Sequence, residues 1–136
     1  MKAYVRETNS QDALVIIRDA GVPVIFSHFH AVEIPNAIHL KRFRGAITHT
    51  EEATAMQDLR ADIASGILDR PVYDLGSVYM RAEQLSDRYS AIAGTRSLDV
   101  LHVAAALECG CTTLASFDDR QRKMARLAGL KLLPAK

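Results

Sequence analysis

The chain has 136 residues, of which 49% are hydrophobic, and this is enough apolar material for one buried core in a single domain. Its 17 basic and 16 acidic side chains leave a net charge of +1, so a nucleic-acid or membrane partner would have to be met by a local patch. No apolar run reaches the roughly 18 residues of a membrane span and no signal-peptide pattern opens the chain, which predicts a cytoplasmic protein.

Helix-like and strand-like segments alternate through the first half of the chain. The run VPVIFS is short, uniformly apolar and rich in β-branched residues, which predicts a buried strand. In chain order, the patterns predict a short charged helix ending near residue 9, an amphipathic helix over 11–20, the VPVIFS strand over 22–27, a helix over about 29–44, and an acid-rich helix capped by Thr48 or Thr50.

The second half continues the alternation and contains no repeat or linker. The predicted elements are a strand RPVYDL over 70–75, helices over about 77–89 and 97–109, a strand TTLASF over 112–117, a helix over 119–129 and a last strand LKLLP over 130–134. Strands that alternate with helices predict one α/β domain spanning 1–136, in which helices flank a parallel sheet. Cys109 and Cys111 are too close for a useful disulfide and are predicted to be reduced thiols.

Four acidic side chains lie where such a fold would place a ligand site. Asp118 and its neighbour Asp119 directly follow the TTLASF strand, Glu33 lies in the helix after the VPVIFS strand, and Asp99 lies in the first turn of a helix rich in alanine. Carboxylates brought together repel one another unless a divalent cation neutralises them, and oxygen ligands suit Mg²⁺ or Mn²⁺. The pattern therefore predicts metal-dependent phosphodiester hydrolysis.

Each of these residues also has an ordinary structural explanation. A single helical acid is most often a solvated surface group, Asp119 suits the start of a helix, and His102 suits a packed or capping role. His28 and His30 lack a third ligand and fit the rim of the domain. The cations of HLKRFRG, which are Lys41, Arg42 and Arg44, suit a helix C-terminus, and those between residues 120 and 126 suit a solvated face; the functional alternative is contact with RNA phosphates.

The segment TRSLDVLHVAAALECGCTTLASFDD resembles the C-terminal half of PIN-domain ribonucleases, the family of VapC-type toxins. Arg96, Asp99 and His102 follow the family's R-x-x-D-x-x-H spacing, with alanines behind them, and the next strand ends in Phe-Asp. SHFHAVEIPNAI and KAYVRETNSQDAL resemble two earlier junctions of the family, so the resemblance covers nearly the whole chain.

The resemblance implies a PIN-like three-layer fold and a Mg²⁺- or Mn²⁺-dependent endoribonuclease. It makes Glu33, Asp99 and Asp118 catalytic metal ligands, with Asp119 as a possible further ligand. It also assigns a role in shaping the site to Ser27, Thr95, Arg96 and Ser116. Its implied partners are an RNA substrate, a cognate antitoxin protein and a second copy of the chain in a homodimer.

The chain departs from the family at its N-terminus. Family members begin with a strand that ends in an acid and lies at the centre of the sheet, whereas this sequence opens inside the helix that follows. The expectation is thus a PIN-like domain truncated at its N-terminus and lacking its first strand, with little or no nuclease activity as it stands. The alternative function is a catalytically inactive PIN-like module that binds RNA or a protein partner. A phosphate-binding receiver-like domain is disfavoured, because no acidic pair follows an N-terminal strand.

Overall fold

The computed structural model describes residues 3–5 and 8–135, and helices account for 63% of that part of the chain. Its strands form two separate parallel sheets of two strands each, β1 with β2 and β3 with β4. The predicted PIN-like three-layer α/β domain, with one parallel sheet flanked by helices, is therefore wrong. Runs of β-branched residues indicate where strands lie along the chain, but they do not determine how many strands pair in one sheet. Each pair of strands here is only two or three residues long.

The elements follow one another through short connections. They are α1 (Ser10–Asp19), β1 (Val24–Ile25), α2 (His28–Phe43), α3 (His49–Ser65), β2 (Leu68–Asp69), α4 (Leu75–Leu85), a π-helix (Ser86–Ser90), α5 (Ala91–Ala93), α6 (Ser97–Glu108), β3 (Thr113–Ala115), α7 (Asp119–Leu127) and β4 (Lys131–Leu133). The helix predicted up to residue 9 includes residues 1, 2, 6 and 7, which lie outside the described residues, and residues 3–5 are not helical.

Polar caps determine where two of these helices begin. Thr48, one of the two predicted caps, accepts a hydrogen bond from the amide of Glu51, whose carboxylate accepts one from the amide of Thr48 in return. The strand predicted over 70–75 is wrong, because Asp74 caps α4 by accepting a hydrogen bond from the amide of Ser77 at 2.7 Å. The neighbouring strand, β2, ends five residues earlier than Asp74, at Asp69.

The chain divides into two compact units, Met1–Arg70 and Pro71–Lys136. In the first, β1 and β2 pair in parallel, with Val24 opposite Leu68. Phe26, Leu59 and Leu68 form one buried cluster, and Val5, Ile38 and Ala55 form a second. Tyr4 packs against both clusters and donates a hydrogen bond to the carboxylate of Asp62 at 2.7 Å. Burial, together with this hydrogen bond, raises the pKa of Tyr4.

The second unit is built around α6. A continuous run of its residues, from 102 to 106, is buried, and both α4 and α7 pack against this helix. β3 and β4 pair in parallel beside α7, with Leu114 opposite Leu132. The small alanines of α6 allow this close packing of helices. Cys109 and Cys111 follow α6 and form no disulfide within the described residues, and partial burial raises the pKa of Cys111.

Arg122 of α7 joins the ends of both strands of the second unit. Although it carries a charge, its side chain is only 4% exposed. Its guanidinium donates hydrogen bonds to the carbonyl oxygens of Ser116 at 2.7 Å, Leu133 at 3.1 Å and Pro134 at 2.8 Å. The prediction that the cations of residues 120–126 form a solvated face is therefore wrong for Arg122. Its planar guanidinium can be buried because it donates to several backbone carbonyls at once.

No helix within residues 3–5 and 8–135 combines the length and the apolar character needed to span a bilayer.

The core of the second unit can be tested with two methionines. Met124 in α7 is 0% exposed, whereas Met80 in α4 is 64% exposed. We expect Met124→Ala to lower the free energy of unfolding by about 2–5 kcal/mol, because it removes buried apolar contacts and leaves a cavity. Met80→Ala, the matched control, should change it by less than about 0.5 kcal/mol. Urea denaturation followed by circular dichroism measures both values, and equal losses would contradict this assignment of the core.

Candidate functional site

Asp118 begins α7 and is held in place by its neighbours in the chain. Its Oδ1 accepts hydrogen bonds from the amides of Arg120 at 2.9 Å and Gln121 at 3.0 Å. Its own amide donates to the hydroxyl of Ser116 at 3.1 Å, and Ser116 is buried just after β3. These contacts fix one carboxylate oxygen and leave Oδ2 without a hydrogen bond among the described residues. Ser116 therefore orients Asp118, and its part in shaping a site stays a prediction.

Asp99 is held in a similar way at the start of α6. Its Oδ2 accepts a hydrogen bond from the amide of Arg96 at 3.0 Å, and Arg96 is the residue that precedes the helix. The positive end of the helix dipole stabilises a carboxylate at this position. The side chain of Asp99 is half-buried, while that of Arg96 is exposed. A carboxylate thus lies ahead of the apolar face of α6 because it closes the first turn of that helix.

Thr95 is tied to the π-helix that precedes it in the chain. Its hydroxyl lies 3.2 Å from the hydroxyl of Ser90, the last residue of the π-helix, and Gly94 between them has a φ of 67°. Such a positive φ suits glycine, which carries no Cβ. The same part of the chain contacts α7, because the ammonium of Lys123 donates to the carbonyl oxygen of Ile92 at 2.6 Å. The segment leading into α6 and the first half of α7 therefore lie side by side.

β3 lies in the chain between the two helices that carry these acids. Only residues 109–112 join α6 to β3, and only residues 116–118 join β3 to α7. Asp118 therefore follows the carboxyl end of β3 directly. Because short connections usually reverse the chain, we expect α6 and α7 to begin at the same end of β3, which would bring Asp99 toward Asp118.

The two other predicted acids, Asp119 and Glu33, lie in different units of the chain. Asp119 is exposed and is the first residue of α7, which matches its alternative role as a helix-starting acid. Glu33 is exposed in α2 and belongs to the first unit. The second unit therefore contributes Asp99, Asp118 and Asp119, and the grouping of Glu33 with them stays a prediction.

Ser27 caps α2 and is almost fully buried. Its amide donates to Nδ1 of His30 at 3.1 Å, its hydroxyl lies 3.0 Å from the same nitrogen, and the His30 ring stacks on Phe26. A histidine here replaces the Glu or Gln that usually completes a capping box. The S-x-x-H spacing was the available signal, and sequence reasoning placed His30 at the rim instead. His28 is exposed, as expected for the rim, and His102 is buried on α6, as expected for a packed histidine.

The basic residues predicted to contact RNA lie at the end of α2. Arg42 and Arg44 are exposed, and Lys41 is half-buried. Arg42 Nε lies 4.0 Å from a carboxylate oxygen of Glu52 in α3, and His39 Nδ1 lies 2.7 Å from the other oxygen. The hydrogen bond with His39 lowers the pKa of Glu52 below its usual range. One acid of α3 thus partly offsets the positive charge of this helix end.

The carboxylates of Asp99 and Asp118 suit a hard cation in their chemistry. Mg²⁺ is commonly held by one or two carboxylates together with waters and substrate phosphates, and Asp99 and Asp118 provide that pair. Within residues 3–5 and 8–135, no group of three or more His, Cys, Asp or Glu side chains is arranged to hold a metal ion. Metal binding by Asp99 and Asp118 therefore stays a prediction.

Comparison with protein-family models, with curated proteins and with solved structures gives no match for this chain.

The capping role of Asp118 can be separated from its charge. Asp118→Ala removes the acceptor for two backbone amides, so we expect it to lower the free energy of unfolding by about 0.5–2 kcal/mol. Asp118→Asn keeps an oxygen acceptor and should stay within about 0.5 kcal/mol of wild type, because Asn caps helices about as well as Asp. Urea unfolding of the two variants checks this. Equal loss of stability in both would mean that the charge, rather than the cap, holds the start of α7.

Proposed function

We propose that this chain is a metal-dependent endoribonuclease in which Asp99 and Asp118 are the catalytic carboxylates. The observation that supports the proposal is the local setting of these acids: Asp99 lies in the first turn of α6, and Asp118 caps α7 directly after β3. In each, one oxygen is held by backbone amides. Local hydrogen bonding therefore determines the orientation of both carboxylates before any ligand binds.

Pre-organised carboxylates suit phosphodiester hydrolysis. Asp99 Oδ1 and Asp118 Oδ2 form no hydrogen bond with described residues, so each can serve as an oxygen ligand while its partner oxygen keeps the cap. A bound Mg²⁺ or Mn²⁺ would polarise the scissile phosphate and lower the pKa of a bound water. The chain's own contribution is to hold the two oxygens rigidly, with Ser116 orienting Asp118. Asp119, the first residue of α7, is proposed as an additional acid of this site.

The resemblance to PIN-domain ribonucleases supports the same residues independently of the fold. It assigns metal binding to Asp99 and Asp118 and a shaping role to Thr95, Arg96 and Ser116. The contacts of these residues are compatible with that assignment, because Arg96 holds Asp99 and Ser116 holds Asp118. The resemblance concerns local motifs, and the proposal depends on those motifs alone.

Cleavage of RNA by charge-removing variants tests the proposal. Asp99→Asn and Asp118→Asn keep the capping oxygens but remove the negative charges. We expect each to reduce Mn²⁺- or Mg²⁺-dependent cleavage by more than about a hundredfold, because losing a ligand should exceed the roughly 10–100-fold effect of losing an outer-shell partner. The assay follows a labelled RNA with metal and with EDTA.

Asp74→Asn is the matched control for this assay. Asp74 is also a capping aspartate of the second unit, and its hydrogen bonds with Ser77 lower its pKa, but it lies outside the proposed site. Cleavage by Asp74→Asn should equal that of wild type. Wild-type activity in both Asp99→Asn and Asp118→Asn would refute the catalytic assignment.

A second candidate function is an RNA- or protein-binding module without catalysis. The two functions differ in one result: a binding module retains its affinity for RNA but cleaves none of it when Mn²⁺ or Mg²⁺ is supplied.

The proposal extends to a toxin that is neutralised by a partner protein. An arginine of such a partner could pair with Asp99 and Asp118 in place of a metal, since guanidinium and carboxylate form strong charge-assisted hydrogen bonds. Expression of this chain without a partner should then arrest growth, and Asp99→Asn with Asp118→Asn should relieve the arrest. Normal growth and intact RNA with the wild-type gene would contradict the toxin function.

A further inference from the structure

The C-terminal end of α2 carries an exposed aromatic ring among cations. Phe43 is the last residue of the helix and is 86% exposed. Lys41 and Arg42 precede it and Arg44 follows it. We refer to these four residues as the Phe43 surface. Cations are expected in the last turn of a helix, because they interact favourably with its dipole. That explanation accounts for the three charges, and Phe43 beside them is the most exposed aromatic side chain among the described residues.

The two arginines of the Phe43 surface differ in their partners. Arg42 lies 4.0 Å from Glu52, which offsets its charge. Arg44 forms no ion pair with any described residue. Glu51, which precedes Glu52 in the chain, accepts a hydrogen bond from the amide of Thr48 as part of a helix cap. An anionic partner would thus find at least one uncompensated guanidinium beside an exposed ring.

We propose that the Phe43 surface binds single-stranded RNA, with a base stacked on Phe43 and a phosphate contacted by Arg44. This inference rests on the proposed function, which makes RNA the substrate. Proteins that bind single strands combine aromatic rings, on which any base can stack, with cations that follow the phosphates. An anionic membrane would also attract cations, but stable binding would need a broader apolar face than one ring supplies.

Binding of a labelled oligouridine to the full chain, measured by fluorescence anisotropy in EDTA, tests the proposal without cleavage. We expect Phe43→Leu to weaken binding about tenfold, because leucine keeps apolar area but cannot stack a base. Arg44→Gln should weaken binding and reduce the dependence of log affinity on log salt by about 0.7, the value for one phosphate contact on a single strand. Val32→Ala, which changes an exposed apolar residue elsewhere on α2, is the matched control and should bind as wild type.

Three results would overturn the inference. They are unchanged affinity in Phe43→Leu with an unchanged circular dichroism spectrum, no oligouridine binding by wild type, and binding only to phosphatidylserine vesicles. The two proposals can be rejected separately. If Asp99→Asn abolishes cleavage while Phe43→Leu binds RNA normally, the nuclease function is supported and RNA binding by the Phe43 surface is refuted. If Phe43→Leu loses binding but neither variant nor wild type cleaves RNA, binding by the Phe43 surface is supported and the nuclease function is refuted.

Discussion

The buried guanidinium of Arg122 is the contact on which the proposed site depends. It donates to the carbonyl oxygens of Ser116, at the end of β3, and of Leu133 and Pro134, at the end of β4. A two-stranded ladder of three residues has little stability of its own, so a clamp across its carboxyl end determines whether the strand ends stay together. A buried charge is costly unless its donors are satisfied, and here backbone carbonyls satisfy them.

The position of Asp118 follows from that clamp. Ser116 connects the clamp to the acid, because its carbonyl oxygen accepts from Arg122 and its hydroxyl accepts from the amide of Asp118. The acid then caps α7, the helix that carries Arg122 itself. Strand end, helix cap and buried arginine therefore form one closed set of hydrogen bonds. Asp99 depends on a separate set, in which the chain before α6 is tied to Ser90 and to α7.

Local signals made the helices predictable, and long-range pairing made the sheets unpredictable. The helices over 11–20, 29–44 and 97–109 were placed within one or two residues, because glycines, caps and apolar periodicity all agree there. The prediction of one parallel sheet within a three-layer domain was wrong, because strand pairing depends on long-range contacts that no local sequence pattern encodes. The prediction of a strand over 70–75 was wrong for a local reason. Asp74 and Ser77 favour the start of a helix. This preference is stronger than the strand preference of Val72 and Tyr73. His30 was missed because histidine is an unusual partner in a capping box, and Arg122 was missed because a charge next to other charges is normally solvated.

The central claim is that Asp99 and Asp118 hold one divalent cation between them, and Mn²⁺ binding followed by electron paramagnetic resonance tests it directly. The wild-type chain should reduce the signal of free Mn²⁺ in a saturable manner, with one site per chain. The double variant Asp99→Asn, Asp118→Asn should lose that site, whereas Asp74→Asn should retain it. Equal Mn²⁺ binding by the double variant and the wild type would contradict the claim.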